Sequence, residues 1–93
     1  MNVAWSLRAA NDLRRYCQFI ARDRPKAAAD VNKRLLAAVD RLAEHPLSAA
    51  KSTARDTRAL VVSGTGAVVI YRVQNETVNI VTIRHQMRRP LKG

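Results

Sequence analysis

The residues in this sequence that could carry out chemistry are a histidine and several cations in its second half. His85 directly follows Arg84, and Arg58 and Lys51 precede them along the chain. A base, a neighbouring cation and positive charge on the phosphate are what RNA cleavage through the 2′-hydroxyl requires. If the chain is an enzyme, the sequence therefore favours an endoribonuclease that uses His85, Arg84 and Arg58.

Strand geometry counts against this chemistry. Neighbouring residues of a strand point to opposite faces, so Arg84 and His85 point into one site only where the strand bulges or ends. His85 is more often a strand-end residue that bonds to the backbone than a catalytic base. Tyr71 is the last tyrosine of the chain, so no phenol follows His85. We leave the enzyme question open and favour a protein that is not an enzyme.

The sequence offers no site for a metal or a cofactor. Cys17 is the only cysteine, and no group of Cys and His residues has the spacing of a metal site. Cys17 falls on an apolar helical stripe, so we interpret it as a core residue. His45 precedes Pro46, which indicates the end of a helix. We expect neither a metal, a cofactor nor an internal disulfide.

The charge of the chain indicates an anionic partner. Lys and Arg number 17 against 7 Asp and Glu, which gives a formal net charge of +10. Residues 47–93 carry only Asp56 and Glu76 as acids, so we expect the partner to contact this half. Such a field attracts nucleic acid, anionic membrane or an acidic protein. Direct nucleic-acid binding by the basic end of the chain is one hypothesis, although no helix-turn-helix or zinc pattern supports sequence reading.

The elements that must position these residues follow from periodicity. Asn2–Trp5 is a candidate edge strand, and Ser6 is a candidate N-cap for a helix to about Arg22. A second helix is predicted from Lys26 to Glu44, with a tight connection at Pro25. Its apolar stripe is Ala28, Val31, Leu35, Ala38 and Leu42. Leu47–Asp56 is predicted to be a surface loop.

Three β-branched segments complete the predicted fold. Strands are predicted at 57–63, 67–73 and 77–84, joined by short turns into an antiparallel meander. The fold class is α+β: a short N-terminal strand and a helical hairpin pack on one face of the C-terminal meander, in a single domain over residues 1–93. The other face of the sheet stays uncovered, and we expect Arg58, Arg72 and Arg84 to border it.

Order and spacing along the whole chain resemble the ParE/RelE toxins of type II toxin–antitoxin pairs. The first half carries this resemblance in Trp5 followed by AANDL at 9–13, then IARDRP at 20–25 and LAEHP at 42–46. The second half adds TRAL at 57–60, VVIYRV at 68–73 and VNIVTIRHQMRRP at 78–90. The resemblance implies the same α+β architecture as the periodicity.

The resemblance also implies a function. ParE-like members inhibit DNA gyrase and RelE-like members cut mRNA on the ribosome. RelE-like nucleases commonly add a tyrosine or another catalytic side chain after the last strand, and this sequence lacks such a tyrosine. We therefore expect a cytoplasmic toxin that inhibits gyrase, with ribosome-dependent mRNA cleavage as the alternative. The sequence contains no signal-peptide pattern and no long apolar run, which agrees with the expected cytoplasmic location.

The expected partner is an acidic cognate antitoxin in a hetero-oligomeric complex. We expect antitoxin contacts at Arg58, Arg72 and Arg84, through charge-assisted bonds to a partly disordered acidic segment. Contacts with the target are expected at the basic end of the chain, and these residues are His85, Arg88, Arg89 and Lys92.

Overall fold

A computed structural model gives the structure of the protein and describes residues 1–86. The elements, in chain order, are β1 (Asn2–Trp5), α1 (Leu7–Ala21), α2 (Pro25–Glu44), β2 (Ala50–Lys51), β3 (Arg58–Val62), β4 (Ala67–Gln74) and β5 (Thr77–His85). The predicted helices and strands are confirmed. The loop predicted at 47–56 is wrong at Ala50–Lys51, because these residues pair with β3 as a two-residue edge strand.

The helical hairpin begins and turns where local chemistry dictates. The Ser6 hydroxyl accepts a hydrogen bond from the Ala9 amide at 2.9 Å, which caps α1. The same hydroxyl donates to the Val81 carbonyl at 2.9 Å and so ties the start of α1 to β5. Pro25 occupies the first turn of α2, where its missing amide proton costs nothing. The two helices therefore meet through a short connection.

The core lies between the hairpin and one face of the sheet. The predicted stripe of α2 is buried in full: Ala28, Val31, Leu35, Ala38 and Leu42 are each less than a tenth exposed. Opposite this stripe lie Val62 of β3, Val69 and Tyr71 of β4, and Val78 and Ile80 of β5. Tyr71 is fully buried, and its hydroxyl donates to the Pro46 carbonyl at 2.7 Å. Tyr71 is therefore a core residue.

The sheet is mixed and has the strand order β1-β5-β4-β3-β2. The meander β3-β4-β5 is antiparallel as predicted, whereas β1 pairs with β5 in parallel. Asn75 and Glu76, which connect β4 and β5, have φ values of 53° and 57°. Two successive positive values define the tight hairpin turn that matches the twist of the flanking strands. This turn sets the register of β5 as far as Ile80. A one-residue bulge in β5, opposite Ile70 and Tyr71, then shifts the register, so that Arg84 pairs with Val68 and His85 with Ala67.

The register places Arg58 on a different face from the one predicted. Arg58 is the cross-strand partner of Tyr71 and therefore lies on the helix-facing side of the sheet. Its guanidinium donates to the Ala49 carbonyl at 2.7 Å. Arg72 and Arg84 have the opposite parity and lie on the face without helices. The prediction that Arg58 borders that face was wrong, because alternation along a strand fixes a face only after the cross-strand partner is known.

Candidate functional site

A groove of about 890 Å³ runs between α1 and the C-terminal half of β5. It exists because β1 ends at Trp5, opposite Ile80, and leaves the rest of β5 without a strand on that side. We call it the α1–β5 groove. Its lining residues are Arg8, Asp12, Arg15, Tyr16 and Phe19 of α1, and Thr82, Ile83, Arg84 and His85 of β5.

The helical wall of the groove is one face of α1. The five α1 residues that line the groove are separated by four, three, one and three positions in the sequence. With 3.6 residues per turn, this spacing places them on one side of the helix. The adjoining side of α1 buries Ala9 and packs Leu13, Cys17 and Ile20 against the core. One helix therefore supplies both a core stripe and a polar, aromatic wall.

Asp12 joins the two walls of the groove. Its carboxylate accepts a hydrogen bond from the Thr82 hydroxyl at 2.5 Å and from the Ile83 amide at 3.1 Å. An amide at an open strand edge needs a partner, because an unpaired backbone donor in a protected position is costly. Asp12 supplies that partner at the point where β1 has ended.

Tyr16 holds His85 and the β3–β4 turn together. Its hydroxyl donates to the Thr65 carbonyl, and its ring meets the His85 ring edge-on, with centroids 5.3 Å apart. Burial, with a smaller effect of the neighbouring Cys17 thiol, raises the pKa of Tyr16, so its hydroxyl keeps its proton at neutral pH. Gly66 lies so close that a Cβ atom there would be 3.0 Å from the Tyr16 hydroxyl oxygen. The end of β5 is therefore fixed to α1.

The arginines of the groove carry charge that no carboxylate neutralises within the described part of the chain. Over residues 1–86, the one salt bridge joins Arg34 to Asp30 on α2, at 2.9 Å. Arg8, Arg15 and Arg84 are exposed. Phe19 lies on the same wall with 63% of its surface exposed. The groove therefore combines available positive charge with an unburied aromatic ring.

The structure brings some of the sequence-predicted residues together and separates others. Arg84 and His85 point to opposite faces, as alternation requires, and yet both line the α1–β5 groove because the groove lies at the open edge of their strand. Arg58 and Arg72 do not line it. The three residues predicted for nuclease chemistry are therefore not gathered in one site. Arg88, Arg89 and Lys92 lie outside the described residues.

Sequence reasoning missed the part that α1 plays in this site. Arg8, Asp12 and Arg15 have the spacing of an ordinary solvated helical face, and Tyr16 and Phe19 received no role. Their signal was present, since two aromatic residues interrupt a charged helical face at the spacing of that face. The open edge of β5 could not be foreseen, because it depends on where β1 ends.

Residues 1–86 were compared with two further kinds of feature, a cluster of metal ligands and a membrane-spanning helix. These residues contain no group of three His, Cys, Asp or Glu side chains placed to hold a metal ion. None of the helices described is long and apolar enough to cross a membrane. Cys17 is half-buried with its Sγ 4.0 Å from Asn32 Oδ1, and burial raises the pKa of its thiol. A thiol with a raised pKa is less nucleophilic, which agrees with a core role.

The fold and the basic groove define a class of small, basic α+β proteins. Comparison with known proteins shows which family of this class the chain belongs to. Residues 3–90 match the family described as the ParE toxin of the type II toxin–antitoxin system parDE. The chain belongs to this ParE toxin family.

Two relatives and one solved structure agree with this assignment. The chain is 37% identical to Y4kP of Sinorhizobium fredii, which is described as a candidate toxin, over 89% of this chain and 85% of the relative. It is 37% identical to toxin RelE2 of Caulobacter vibrioides, over 92% and 96% of the two chains. A structure of the chromosomal ParDE system from P. aeruginosa superimposes with a TM-score of 0.83 at 20% identity, over 91% and 95% of the two chains. This last likeness concerns the fold.

Proposed function

We propose that this protein is a cytoplasmic toxin that inhibits DNA gyrase and is neutralised by an acidic cognate antitoxin in a hetero-oligomeric complex. The observation that carries the proposal is the match to the ParE toxin family over residues 3–90. Gyrase is the target that the resemblance to ParE-like toxins implies. A strongly basic surface, with a formal charge of +10, suits both an acidic antitoxin and a target that holds DNA.

The groove supports inhibition by binding more than catalysis. General acid–base catalysis needs one group that accepts a proton and a second group that donates one. Among the residues that line the groove, His85 is the one imidazole, while Asp12 is held by two donors and the Tyr16 hydroxyl is bonded to Thr65. A protein that lacks an acid–base pair at its basic site acts most simply by occupying a surface of its target.

We place the antitoxin on the face of the sheet without helices. Arg72 and Arg84 project from this face, and Val61 lies on it with 52% of its surface exposed. An acidic segment with some apolar residues would form charge-assisted hydrogen bonds to the arginines and cover Val61. Arg58 remains a weaker candidate contact, because its guanidinium already bonds to Ala49.

The target contact is proposed at the end of β5 and the basic segment after it. His85 is held edge-on by Tyr16 at the end of the strand. The other proposed contacts are Arg88, Arg89 and Lys92, which follow in the sequence. A chain shortened after Gln86 would retain antitoxin binding and lose inhibition of gyrase. Loss of both activities together would contradict this division of surfaces.

A supercoiling assay tests the proposal. Purified toxin is added to DNA gyrase and relaxed plasmid, with and without an equimolar amount of the antitoxin encoded beside its gene. We expect supercoiling to stop with toxin alone and to recover when the antitoxin is present. Full supercoiling activity at a large molar excess of toxin would refute the choice of gyrase.

Ribosome-dependent mRNA cleavage is retained as a second candidate for one reason. Arg84 and His85, a cation and a base, flank a single groove even though they lie on opposite faces of β5. If this chemistry operates, His85→Ala abolishes cleavage of ribosome-bound mRNA and leaves antitoxin binding unchanged. The inhibitory proposal predicts no mRNA cleavage by the wild-type chain under the same conditions.

A further inference from the structure

We infer that the α1–β5 groove is a binding site for single-stranded nucleic acid. Such binding is separate from the inhibition of gyrase, because the chain would bind this ligand by itself. Three features of the groove point to this ligand: arginines without carboxylate partners, an exposed aromatic ring, and a strand edge whose amide is already occupied.

The arginines are placed to hold a phosphate backbone. Arg8 and Arg15 lie seven residues apart on one side of α1, which is about 10 Å along a helix. Arg84 lines the groove from the open edge of β5. Asp12 also lies in the groove, where its Oδ2 accepts from the Thr82 hydroxyl and the Ile83 amide, and none of the three arginines is within ion-pair distance of its carboxylate. The guanidinium groups therefore stay available for bidentate contacts with phosphate oxygens.

Phe19 indicates a ligand with flat, unpaired bases. Its ring is 63% exposed on the same wall as Arg8 and Arg15. Proteins that bind single strands combine a basic groove along the backbone with aromatic side chains on which bases stack. Duplex DNA offers phosphates to the arginines but no free base face to the ring. The exposed ring therefore favours a single strand over a duplex.

The edge of β5 argues against an acidic peptide as the occupant. A peptide binds an open strand edge most directly by pairing with its backbone groups. Here the Ile83 amide is taken by Asp12, and the Ile80 and Val81 carbonyls accept bonds from the Ser6 amide and hydroxyl. A peptide strand would have to displace these bonds. A nucleic acid needs only the side chains.

Fluorescence anisotropy with labelled single strands tests the inference. The full chain is titrated into mixed-sequence DNA and RNA oligonucleotides of about 15 nucleotides, at several salt concentrations. Arg8→Ala/Arg15→Ala should bind about tenfold or more weakly. It should also lower the slope of log affinity against log salt by about 1.4, or 0.7 for each phosphate that an arginine no longer neutralises.

The matched control is Lys33→Ala/Arg41→Ala. It removes two positive charges from exposed positions of α2, and neither residue lines the groove. We expect this control to bind within about threefold of the wild type, since it changes only the general field. Equal losses in the two double variants would assign binding to net charge and overturn the site. Absence of binding by the wild type at low salt would overturn it as well.

Phe19 provides a second, independent readout. Phe19→Ala should weaken binding about tenfold, whereas Phe19→Tyr should retain it, because both aromatic rings stack on bases. The position is exposed, so circular dichroism should show an intact fold for both variants. Equal affinities of the two variants would remove base stacking from the proposal.

Discussion

One carboxylate connects the helical layer to the open edge of the sheet. Asp12 accepts hydrogen bonds from both the side chain of Thr82 and the backbone of Ile83. Its neighbour on the groove wall, Tyr16, does the same for the β3–β4 turn by donating to Thr65. These two side chains fix the position of β5 beyond the point where β1 stops. Both side chains line the groove together with Arg84 and His85.

Removing the Asp12 carboxylate should destabilise the protein more than a surface substitution does. Asp12→Ala leaves a hydroxyl and an amide without an acceptor, which costs about 1 to 3 kcal/mol for a buried donor. Asp12→Asn keeps one acceptor and should lose less. Urea denaturation measures the free energy of unfolding of each variant. Asp40→Ala, at an exposed position of α2, is the control, and a loss equal to that of the control would contradict the role of Asp12.

Alkaline pH should unfold the protein through its buried phenols. Burial raises the pKa of Tyr71 against the opposing effects of the Ala49 backbone and the Arg58 charge, and burial likewise raises that of Tyr16. A folded pKa above the unfolded value of about 10 means that the stabilisation is complete below about pH 10 and is lost as the pH rises through the folded pKa.

The free energy of unfolding, measured by urea at successive pH values, should therefore decline above about pH 10. The measurement is made in a Cys17→Ala background, because burial also raises the pKa of that thiol. Tyr16→Phe/Tyr71→Phe should decline less steeply over the same pH range. Parallel curves for the two proteins would show that the phenols do not cause the decline.

At the scale of elements, the turn between β3 and β4 depends on two glycines, both for their backbone conformation and for the space beside them. Gly64 and Gly66 have φ values of +78° and +74°, in the left-handed region that side chains disfavour. They differ in what a Cβ atom would meet. At Gly64 it meets the end of the exposed Arg34 side chain at 3.1 Å, and at Gly66 it meets the Tyr16 hydroxyl at 3.0 Å.

Gly66→Ala should therefore be more destabilising than Gly64→Ala. Both substitutions bear a backbone cost of about 1 to 3 kcal/mol, but only Gly66→Ala also forces the Tyr16 hydroxyl away from its partner Thr65. Thermal denaturation of each variant measures the difference. Tyr16→Phe should lower the thermal stability less in the Gly66→Ala variant than in the wild type. The reason is that Tyr16→Phe removes the hydroxyl with which the new Cβ atom clashes. Strict additivity of the two changes would contradict the clash.

The elements predicted from the sequence were those whose signals are local. The Ser6 cap, the apolar stripe of α2 and the β-branched strands each follow from spacing within one segment. The pairing of β2 with β3, and the parallel pairing of β1 with β5, arise from contacts between distant segments. The predicted face of Arg58 failed for the same reason, because register is a property of two strands together.

The whole molecule offers partners two distinct basic surfaces. Arg72 lies on the face of the sheet without helices, Arg8 and Arg15 lie in the α1–β5 groove, and Arg84 lies at the boundary of the two. Composition predicted an anionic partner but could not predict this division, which depends on how α1 is seated against β5. The charge distribution predicted that the partner contacts the second half of the chain. Two of the three arginines that line the groove, however, belong to the first half.

Arg72 separates the two surfaces experimentally. Arg72→Ala should weaken antitoxin binding about tenfold or more, as expected for the loss of a charge-assisted hydrogen bond, and should leave nucleic-acid binding in the groove unchanged. Isothermal titration with the cognate antitoxin measures the first effect. Arg41→Ala, an exposed arginine near the end of α2, is the charge-matched control. Equal antitoxin affinities for both variants would remove this face from the proposed interface.

The choice of gyrase as the target is tested most directly by presenting both candidate targets to one preparation of toxin. Gyrase and plasmid DNA are incubated with the toxin and scored for linear, gyrase-cleaved plasmid, while ribosomes and mRNA are incubated in parallel and scored for cut mRNA. We predict that cleaved plasmid accumulates, that the antitoxin prevents this, and that the mRNA stays intact. Cut mRNA with unaffected gyrase would contradict the proposed function.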